Sequence, residues 1–182
     1  GSIKCWGKND FGQLGDGSRT DRLTPVGGPV FETATKIAAG NYHVCVVLMD
    51  GTLRCWGMGD WGRLGDGVVR GGSTYRLEPV KVDSITTARD ISLGEHSCAV
   101  LNNGEAKCWG HGGFGRLGNG QTSHAYSPVP VSDITTATSI AVGREHSCAL
   151  LTDGKVVCWG YNDQGQLGDG TTTDRNTPVE VS

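Results

Sequence analysis

The stretch "CWGYNDQGQLGDGTTTDRNTPVEV", Cys158–Val181, recurs in most of its positions three more times earlier in the chain. Successive copies of its opening Cys-Trp-Gly are 50, 53 and 50 residues apart, and they begin at Cys5, Cys55, Cys108 and Cys158. Such a period is typical of propeller blades rather than of helical solenoids. A catalytic site is needed only once, so a motif that occurs four times indicates a repeated structural unit.

Each unit is predicted to consist of short strands joined by tight turns. "SIAVGREHSCALL" (139–151) is predicted as one strand and "KVVCWG" (155–160) as the returning strand. Between them, Thr-Asp-Gly is typical of a three-residue hairpin with glycine in the left-handed conformation. "NDQGQLGDG" (162–170) is predicted to supply a turn, a short strand and another turn, before "TPVEV" (177–181) resumes an extended segment. The pattern therefore predicts four strands per unit.

We predict an all-β fold, a β-propeller built from four-stranded blades, with about three and a half repeat units in 182 residues. The chain is predicted to be a single repeat domain, residues 1–182, that forms a partial or half propeller. Its units are 5–54, 55–107, 108–157 and an incomplete 158–182. A blade cannot bury both faces alone, so several blades must stack. The 30 glycines are explained by the many turns.

Two segments resemble the repeats of the regulator of chromosome condensation family in their bacterial form: "CWGxNxxGQLGDGTTTDRxTPV" at Cys158–Val179 and "IAxGxxHSCAL" at Ile140–Leu150. The resemblance covers nearly the whole chain and implies a propeller, usually seven-bladed, that serves as a recognition platform. Members act in nucleotide exchange on a small GTPase, chromatin binding, β-lactamase inhibition or ultraviolet sensing, so the fold does not select the function. The loops and tails used for exchange and chromatin binding do not map onto this sequence, and those activities are not carried over.

The chain departs from the family pattern in two ways. Seven blades would need about twice this length. The unit between Cys55 and Cys98 also carries four extra residues within "VVRGGSTYRLE", Val68–Glu78.

Six of the seven cysteines form pairs ten residues apart: Cys45 with Cys55, Cys98 with Cys108, and Cys148 with Cys158. The three-residue turn places each pair at a non-hydrogen-bonded position, where Cα atoms approach to about 4.5 Å and a disulfide is possible. We predict three cross-strand disulfides and an oxidising compartment, which is extracellular, periplasmic or at the cell surface. The alternative is reduced thiols packed as small apolar residues. Cys5 lacks a preceding His-x-Cys segment, so its partner is expected in upstream sequence or another chain.

The sequence does not favour an enzyme. Gly57–Gly62 and Gly113–Gly118 match a dinucleotide fingerprint, but no helix is predicted after them. Short cysteine clips for zinc and the spacing of an EF-hand are also missing. His43, His96 and His146 recur once per unit and are expected to make structural hydrogen bonds. We therefore predict no catalytic activity, no cofactor and no metal.

Charge and hydropathy restrict the partners. A formal net charge of -3 provides no electrostatic basis for binding nucleic acid or acidic membranes. The longest apolar stretches, about six residues, are too short for a membrane-spanning helix. We predict neither nucleic-acid binding nor membrane insertion.

Positions that differ between units are free of the demands of the scaffold. The residue after each Cys-Trp-Gly varies, and so does the residue three positions further on, where Phe11, Trp61, Phe114 and Gln164 lie. Aromatic residues and arginines are frequent anchors of protein interfaces. The predicted binding residues are Met58, Trp61, Arg70, Tyr75, Arg76, His111, Phe114 and Tyr161. The alternative is that the aromatic residues Phe11, Trp61 and Phe114 cover blade edges as core, and both His111 and His124 are expected at the surface.

These observations favour a non-enzymatic protein-interaction module or scaffold, located outside the cytoplasm. One alternative is a structural subunit that assembles with itself, a second chain completing the ring. Another alternative, prompted by the exposed aromatic residues, is a lectin-like module that binds carbohydrate.

Overall fold

The computed structural model of the chain describes residues 2–31, 33–69 and 74–182. In these ranges the strands form three four-stranded antiparallel sheets and one two-stranded sheet. The two-stranded sheet, called the half-blade, consists of β1 (Ser2–Gly7) and β2 (Arg22–Val30). Blade 1 consists of β3 (Ala34–Ala39), β4 (His43–Leu48), β5 (Leu53–Met58) and β6 (Tyr75–Lys81). The all-β propeller prediction is confirmed.

Blades 2 and 3 repeat the same strand order. Blade 2 consists of β7 (Ala88–Leu93), β8 (His96–Leu101), β9 (Ala106–Gly110) and β10 (Ala125–Pro130). Blade 3 consists of β11 (Ala137–Val142), β12 (His146–Leu151), β13 (Val156–Gly160) and β14 (Arg175–Glu180). Two 3-10 turns, Asp60–Gly62 and Gly113–Gly115, lie in the loops that follow β5 and β9. No helix in the described ranges is both long and apolar enough to cross a membrane.

The number of strands in a blade is as predicted, but the assignment of two of them is wrong. Residues 139–151 form parts of two strands rather than one, because the chain reverses at residues 143–145, where the Gly143 N–H donates to the His146 carbonyl at 2.9 Å. Residues 162–170 contain no strand. There the Asn162 side chain donates to the Thr171 and Thr173 carbonyls at 3.1 and 3.0 Å, and its Oδ1 accepts the Leu167 N–H. Because these backbone groups form hydrogen bonds within the loop, they do not pair with a neighbouring strand.

The predicted hairpin register is confirmed. Cys148 lies opposite Cys158 in the ladder of β12 and β13, and Cys45 and Cys98 lie opposite Cys55 and Cys108. The three-residue turn is closed by the Leu151 N–H, which donates to the Lys155 carbonyl at 2.9 Å. All three cysteine pairs are joined in the structure, with Cα atoms 4.1 Å apart.

One tryptophan per blade joins that blade to the preceding one. The buried indoles of Trp56, Trp109 and Trp159 donate to the main-chain carbonyls of residues 13, 63 and 116, each at 2.9 Å. The repeated Leu-Gly makes room for this contact, since a Cβ at Gly65 would lie 2.7 Å from the Trp109 Nε1. The repeated Trp-Gly and Leu-Gly are therefore two sides of one contact between blades.

The histidines also join blades. The Nε2 atoms of His43 and His96 lie 2.8 and 2.6 Å from the Oγ atoms of Ser97 and Ser147 in the next blade. The predicted structural hydrogen bond is confirmed for these two residues, which are fully buried. His146 lies in blade 3, at the end of the described stack, and is half-buried.

The strands divide the molecule into two rims. The first strands of successive blades contact one another, β3 with β7 and β7 with β11, so they lie nearest to the propeller axis. On one rim, called the loop rim, lie the turns between the first and second strands and the long loops between the third and fourth strands. All described residues of the predicted binding set lie on this rim or on the strand ends next to it.

Candidate functional site

The loop rim contains two kinds of loop. In the first and last loops, which follow β1 and β13, a buried asparagine closes the loop on itself. The Asn9 side chain donates to the Ser18 and Thr20 carbonyls at 3.0 and 3.2 Å, and Asn162 does the same in the last loop. The hydrogen bonds of these asparagines lie within their own loops, which is typical of a loop with a structural role.

The two central loops, after β5 and β9, have lost this asparagine. Glycine stands in its place at Gly59 and Gly112, and arginine replaces the glutamine four residues later, at Arg63 and Arg116. The two changes occur together in both loops. This correlated difference is visible in the sequence, one and five residues beyond the residue that follows Cys-Trp-Gly.

Arg63 is buried beneath Trp61. Its Nε donates to the main-chain carbonyl of Glu95 at 3.0 Å, its Nη2 pairs with the Glu95 carboxylate, and its Cζ lies 4.5 Å from the centre of the Trp61 ring. Burial raises the pKa of Glu95, but the hydrogen bond from Asn41 and the charge of Arg63 outweigh burial and lower it. Arg63 also donates to the Met58 Sδ at 3.3 Å. The guanidinium therefore links the central loop of blade 1 to the first turn of blade 2.

Arg116 has the same position beneath Phe114. Its Nε donates to the Gly113 carbonyl at 2.8 Å and its Nη1 to the Arg144 carbonyl at 3.2 Å. Its Cζ lies 5.5 Å from the centre of the Phe114 ring, and its Nη2 is 3.9 Å from the Glu145 carboxylate. Both central loops are thus supported by a buried arginine that reaches the next blade.

The two aromatic residues above these arginines have unusual backbones. Trp61 and Phe114 adopt φ angles of 57° and 61°, in the left-handed region, whereas the equivalent Phe11 and Gln164 do not. A non-glycine residue in this region costs about 1–3 kcal/mol. Trp61 and Phe114 nevertheless remain 40% and 43% exposed. They are neither ordinary core residues nor isolated surface residues.

Aromatic contacts connect each central loop to a ring of the next blade. The Trp61 ring centre lies 4.6 Å from that of His111, which lies 4.7 Å from that of His124. Phe114 likewise reaches the next blade, where its ring centre lies 4.6 Å from that of Tyr161. We call the seven residues of these two groups the central-loop surface: Trp61, Arg63, His111, Phe114, Arg116, His124 and Tyr161.

The two histidines are neutral at pH 7. Burial, with the nearby positive charge of Arg116, lowers the pKa of His111 to about 4 and also lowers the pKa of His124. The Nδ1 atoms of both rings accept backbone N–H groups, from Gly113 to His111 at 3.3 Å and from Gly112 to His124 at 3.2 Å. The expectation that both lie at the surface is wrong for His111, which is half-buried beneath Trp61. His124 belongs to the site although the sequence reasoning left it out.

The other predicted binding residues lie elsewhere on the rim. Tyr75 lies under the guanidinium of Arg19, whose Cζ is 4.8 Å from the ring centre, and is thus joined to the first loop. Arg76 follows Tyr75 at the start of β6. The Met58 Sδ accepts a hydrogen bond from Arg63. Arg70 lies outside the described residues. The structure thus brings Met58, Trp61 and His111 together in one group, and Phe114 and Tyr161 in a second.

The fold defines the chain as part of a β-propeller, and the repeat identifies the kind of propeller. Residues 1–47, 103–150 and 153–182 match one model of the regulator of chromosome condensation (RCC1) repeat, and residues 34–62 and 137–166 match a second. The chain belongs to the RCC1 repeat family.

Two relatives share the repeat. The probable E3 ubiquitin-protein ligase HERC4 of Homo sapiens is 32% identical over 155 residues, which are 79% of this chain and 14% of HERC4. The ultraviolet-B receptor UVR8 of Arabidopsis thaliana is 31% identical over 135 residues, 71% of this chain and 30% of UVR8. The chain spans less than a third of either relative.

Solved structures agree on the fold. Prp20p of Saccharomyces cerevisiae superposes on 100% of this chain with a TM-score of 0.86 and 22% identity, and the match spans 46% of Prp20p. Human WBSCR16 superposes on 100% of this chain with a TM-score of 0.87 and 22% identity, over 48% of WBSCR16. At this level of identity, the likeness shows the propeller architecture alone.

Proposed function

We propose that the chain is a non-enzymatic protein-interaction module that contacts its partner with the central-loop surface. One observation carries the proposal: in two neighbouring loops, an aromatic ring is held half-exposed, on left-handed backbone, above a buried arginine. Backbone strain of this kind persists where the surrounding structure holds it and concentrates at functional positions. Large aromatic side chains are also the residues that most often dominate protein interfaces.

The charges of the site favour a protein surface over an anionic ligand. Both guanidiniums are buried, and that of Arg63 is already paired with a carboxylate. They are therefore occupied in holding the rings and are not free to bind phosphate. The rings are fixed before any partner arrives, so little side-chain entropy is lost on binding. One similar propeller, Prp20p, was described together with its binding to Gsp1p and histones, and the same protein, yeast RCC1 (Prp20), was also solved bound to Kap60.

We expect simultaneous Trp61→Ala and Phe114→Ala substitution to weaken partner capture by about 30-fold or more, the effect of losing an interface hot spot. Thermal stability should change little, since both rings are half-exposed. The measurement is affinity capture from extracts of the source organism, quantified by mass spectrometry, with the wild-type and variant chains as baits. Phe11→Ala is the matched control, because Phe11 has the equivalent position in a loop closed by asparagine.

Two outcomes would contradict the proposal. Partners retained equally by the double variant would place the interface elsewhere, and a large loss of stability would assign both rings to the core. If the chain captured no protein but bound a glycan array, and Trp61→Ala abolished that binding, the lectin-like alternative would be favoured.

We further propose that the protein works in an oxidising compartment. The support is that three cysteine pairs lie directly opposite each other in their hairpins and are joined in the structure. Each bond would close a loop of about ten residues and stabilise the fold by about 2–3 kcal/mol in the chain-entropy description.

Peptide mapping without reductant, on protein purified from its natural source with thiols blocked at lysis, should therefore find Cys45–Cys55, Cys98–Cys108 and Cys148–Cys158 linked. Recovery of all seven cysteines as blocked thiols would reject this prediction and favour the cytosol. Mapping after deliberate reduction provides the control for complete detection of free thiols.

A further inference from the structure

The two gaps between successive blades differ on the loop rim. The central loop of blade 1 meets blade 2 beside Trp61, and the central loop of blade 2 meets blade 3 beside Phe114. In the second gap, an open pocket of about 320 Å³ is lined by Phe114, Thr122, Asp174 and Asn176. We call it the interblade pocket. Its walls come from the loop after β9 on one side and from the start of β14 on the other.

The equivalent place beside Trp61 is occupied by a ring of the chain itself. His124 and Asp174 have the same position, sixteen residues after the cysteine of their Cys-Trp-Gly. Each accepts a backbone N–H of its own loop, through the His124 Nδ1 at 3.2 Å and the Asp174 Oδ1 at 2.8 Å. The ring centre of His124 lies 5.9 Å from that of Trp61. The aspartate provides no such ring beside Phe114.

A second pair of residues differs between the gaps. Gly62 packs against the Cα atom of Tyr126. In the next gap, Gly115 packs against the Cα atom of Asn176, so Tyr126 and Asn176 have equivalent positions. The interblade pocket therefore lies where two ring-bearing residues of the other gap are replaced by smaller polar ones.

The polar atoms that remain for a ligand in this pocket are acceptors. The Asn176 Nδ2 donates to the Gly120 carbonyl at 3.1 Å, which leaves its Oδ1. Asp174 uses Oδ1 for the loop, which leaves its Oδ2. Among the described residues, none donates a hydrogen bond to these two oxygens or to the Thr122 hydroxyl. Carboxylate and amide oxygens only accept, and a hydroxyl can accept as well, so the pocket fits a ligand rich in donors.

The charge of Asp174 is not paired with a cation in the described part of the chain. The neighbouring Arg175 is bound to Asp169, with its Nε 2.8 Å and its Nη2 2.7 Å from that carboxylate. Arg116 donates to main-chain carbonyls and has Glu145 beside it. A positively charged group that enters the pocket would therefore meet an unpaired carboxylate.

We propose that the interblade pocket receives an arginine side chain of the protein partner. This rests on the proposed function, in which the central-loop surface is the interface, and it names one group that the partner presents there. A guanidinium has five N–H donors and no acceptor, which matches the lining of the pocket. It also stacks on aromatic rings and pairs with carboxylates, and the half-exposed ring of Phe114 and the carboxylate of Asp174 offer both contacts.

The same combination of groups exists within the chain. Arg63 lies against the ring of Trp61 and pairs with the carboxylate of Glu95. In the interblade pocket, the aromatic ring and the carboxylate are present, and the arginine is the missing member.

The first test is an NMR titration of the full, isotopically labelled chain with N-acetyl-arginine amide. N-acetyl-citrulline amide, which has nearly the same shape but no charge, is the control. We expect the arginine amide to bind about fivefold or more tightly than the citrulline amide, and to shift the amide signals of residues 114–122 and 174–176. Equal affinities, or shifts confined to other residues, would overturn the proposal. Tighter binding of N-acetyl-lysine amide would overturn the choice of arginine.

Asp174→Asn separates the pocket from the fold. Asparagine can still accept the Asn162 N–H, but it removes the charge. We expect it to weaken binding of the arginine amide by about fivefold or more. Asp21→Asn is the matched control, because Asp21 accepts the Asn9 N–H at 2.8 Å at the equivalent position of the first loop. An equal loss of binding in both variants would contradict the proposal.

Partner capture distinguishes this proposal from the one on which it rests. We expect partners to be lost from Asp174→Asn and from the Trp61→Ala, Phe114→Ala double variant, but not from Asp21→Asn. If the double variant loses the partners and Asp174→Asn retains them, the interface stands and the arginine contact is overturned. If the double variant retains them, the proposed interface itself fails, and with it the assignment of the pocket to a partner, whatever the amide titration shows.

Discussion

Replacing Trp109 by alanine is expected to lower the free energy of unfolding by about 3–5 kcal/mol, the range for removing a large buried aromatic side chain. The indole is fully buried between blades 1 and 2 and packs in one cluster with Leu53, Leu64 and Ile85. Its loss leaves a cavity and also leaves the Arg63 carbonyl without the indole N–H. Urea unfolding followed by far-ultraviolet circular dichroism measures the difference.

Trp6→Ala is the matched control. Trp6 has the same position in its unit, but it lies in the open half-blade and is mostly exposed. We expect its replacement to cost less than about 1 kcal/mol, as for surface positions. A Trp6→Ala variant as unstable as the Trp109→Ala variant would show that the half-blade is closed in solution and that the described packing of Trp6 is wrong.

The second large effect is a loss of stability in acid. His43 and His96 are fully buried, and burial lowers the pKa of His43 to about 3 and that of His96 well below its ordinary value. Below about pH 6.5, the unfolded chain therefore binds protons at these residues that the folded chain does not. Above this pH, the two histidines do not lower the free energy of unfolding. Below it, each histidine lowers the free energy of unfolding by up to about 1.4 kcal/mol per pH unit, as the pH decreases toward the pKa of the folded state.

Urea midpoints measured from about pH 7 to about pH 4 test this dependence. His96→Gln should reduce the slope of the free energy of unfolding against pH by the contribution of about one proton, whatever its effect on stability at neutral pH. His146→Gln is the comparison, because His146 is only half-buried and should contribute a smaller slope. His111, whose pKa is lowered to about 4, contributes the same pH dependence of stability to both variants. An unchanged slope in His96→Gln would mean that His96 is not a source of the acid sensitivity.

The hairpin of each unit could be predicted because the contacts that form it lie within a short piece of chain. The turn Thr152-Asp153-Gly154 defines the pairing of the two strands beside it, and that pairing alone brings Cys148 opposite Cys158. The period of the motif then identifies the propeller. The two wrong strand assignments have one cause: residues 143–145 and the Asn162 loop reverse the chain through hydrogen bonds that a hydrophobicity pattern does not reveal.

The candidate site was only half predictable. The sequence pointed to Trp61, His111, Phe114 and Tyr161, since these positions vary between units, but it did not show that Trp61 meets His111 and that Phe114 meets Tyr161. It also did not reveal that His124, in a later part of the same loop as His111, completes the group. Such neighbours come from different blades, or from opposite ends of a loop, and local spacing does not predict their distance.

The repeat, the all-β class, the hairpin register and the facing of the cysteines follow from the sequence alone, because each depends on turns and alternation along a short piece of chain. The arrangement of the blades, by contrast, places Arg63 and Arg116 beneath half-exposed rings and lets Asp90 connect three blades. These features depend on how one blade stacks on the next, a geometry set by the packing of the buried tryptophans and glycines rather than by any single unit.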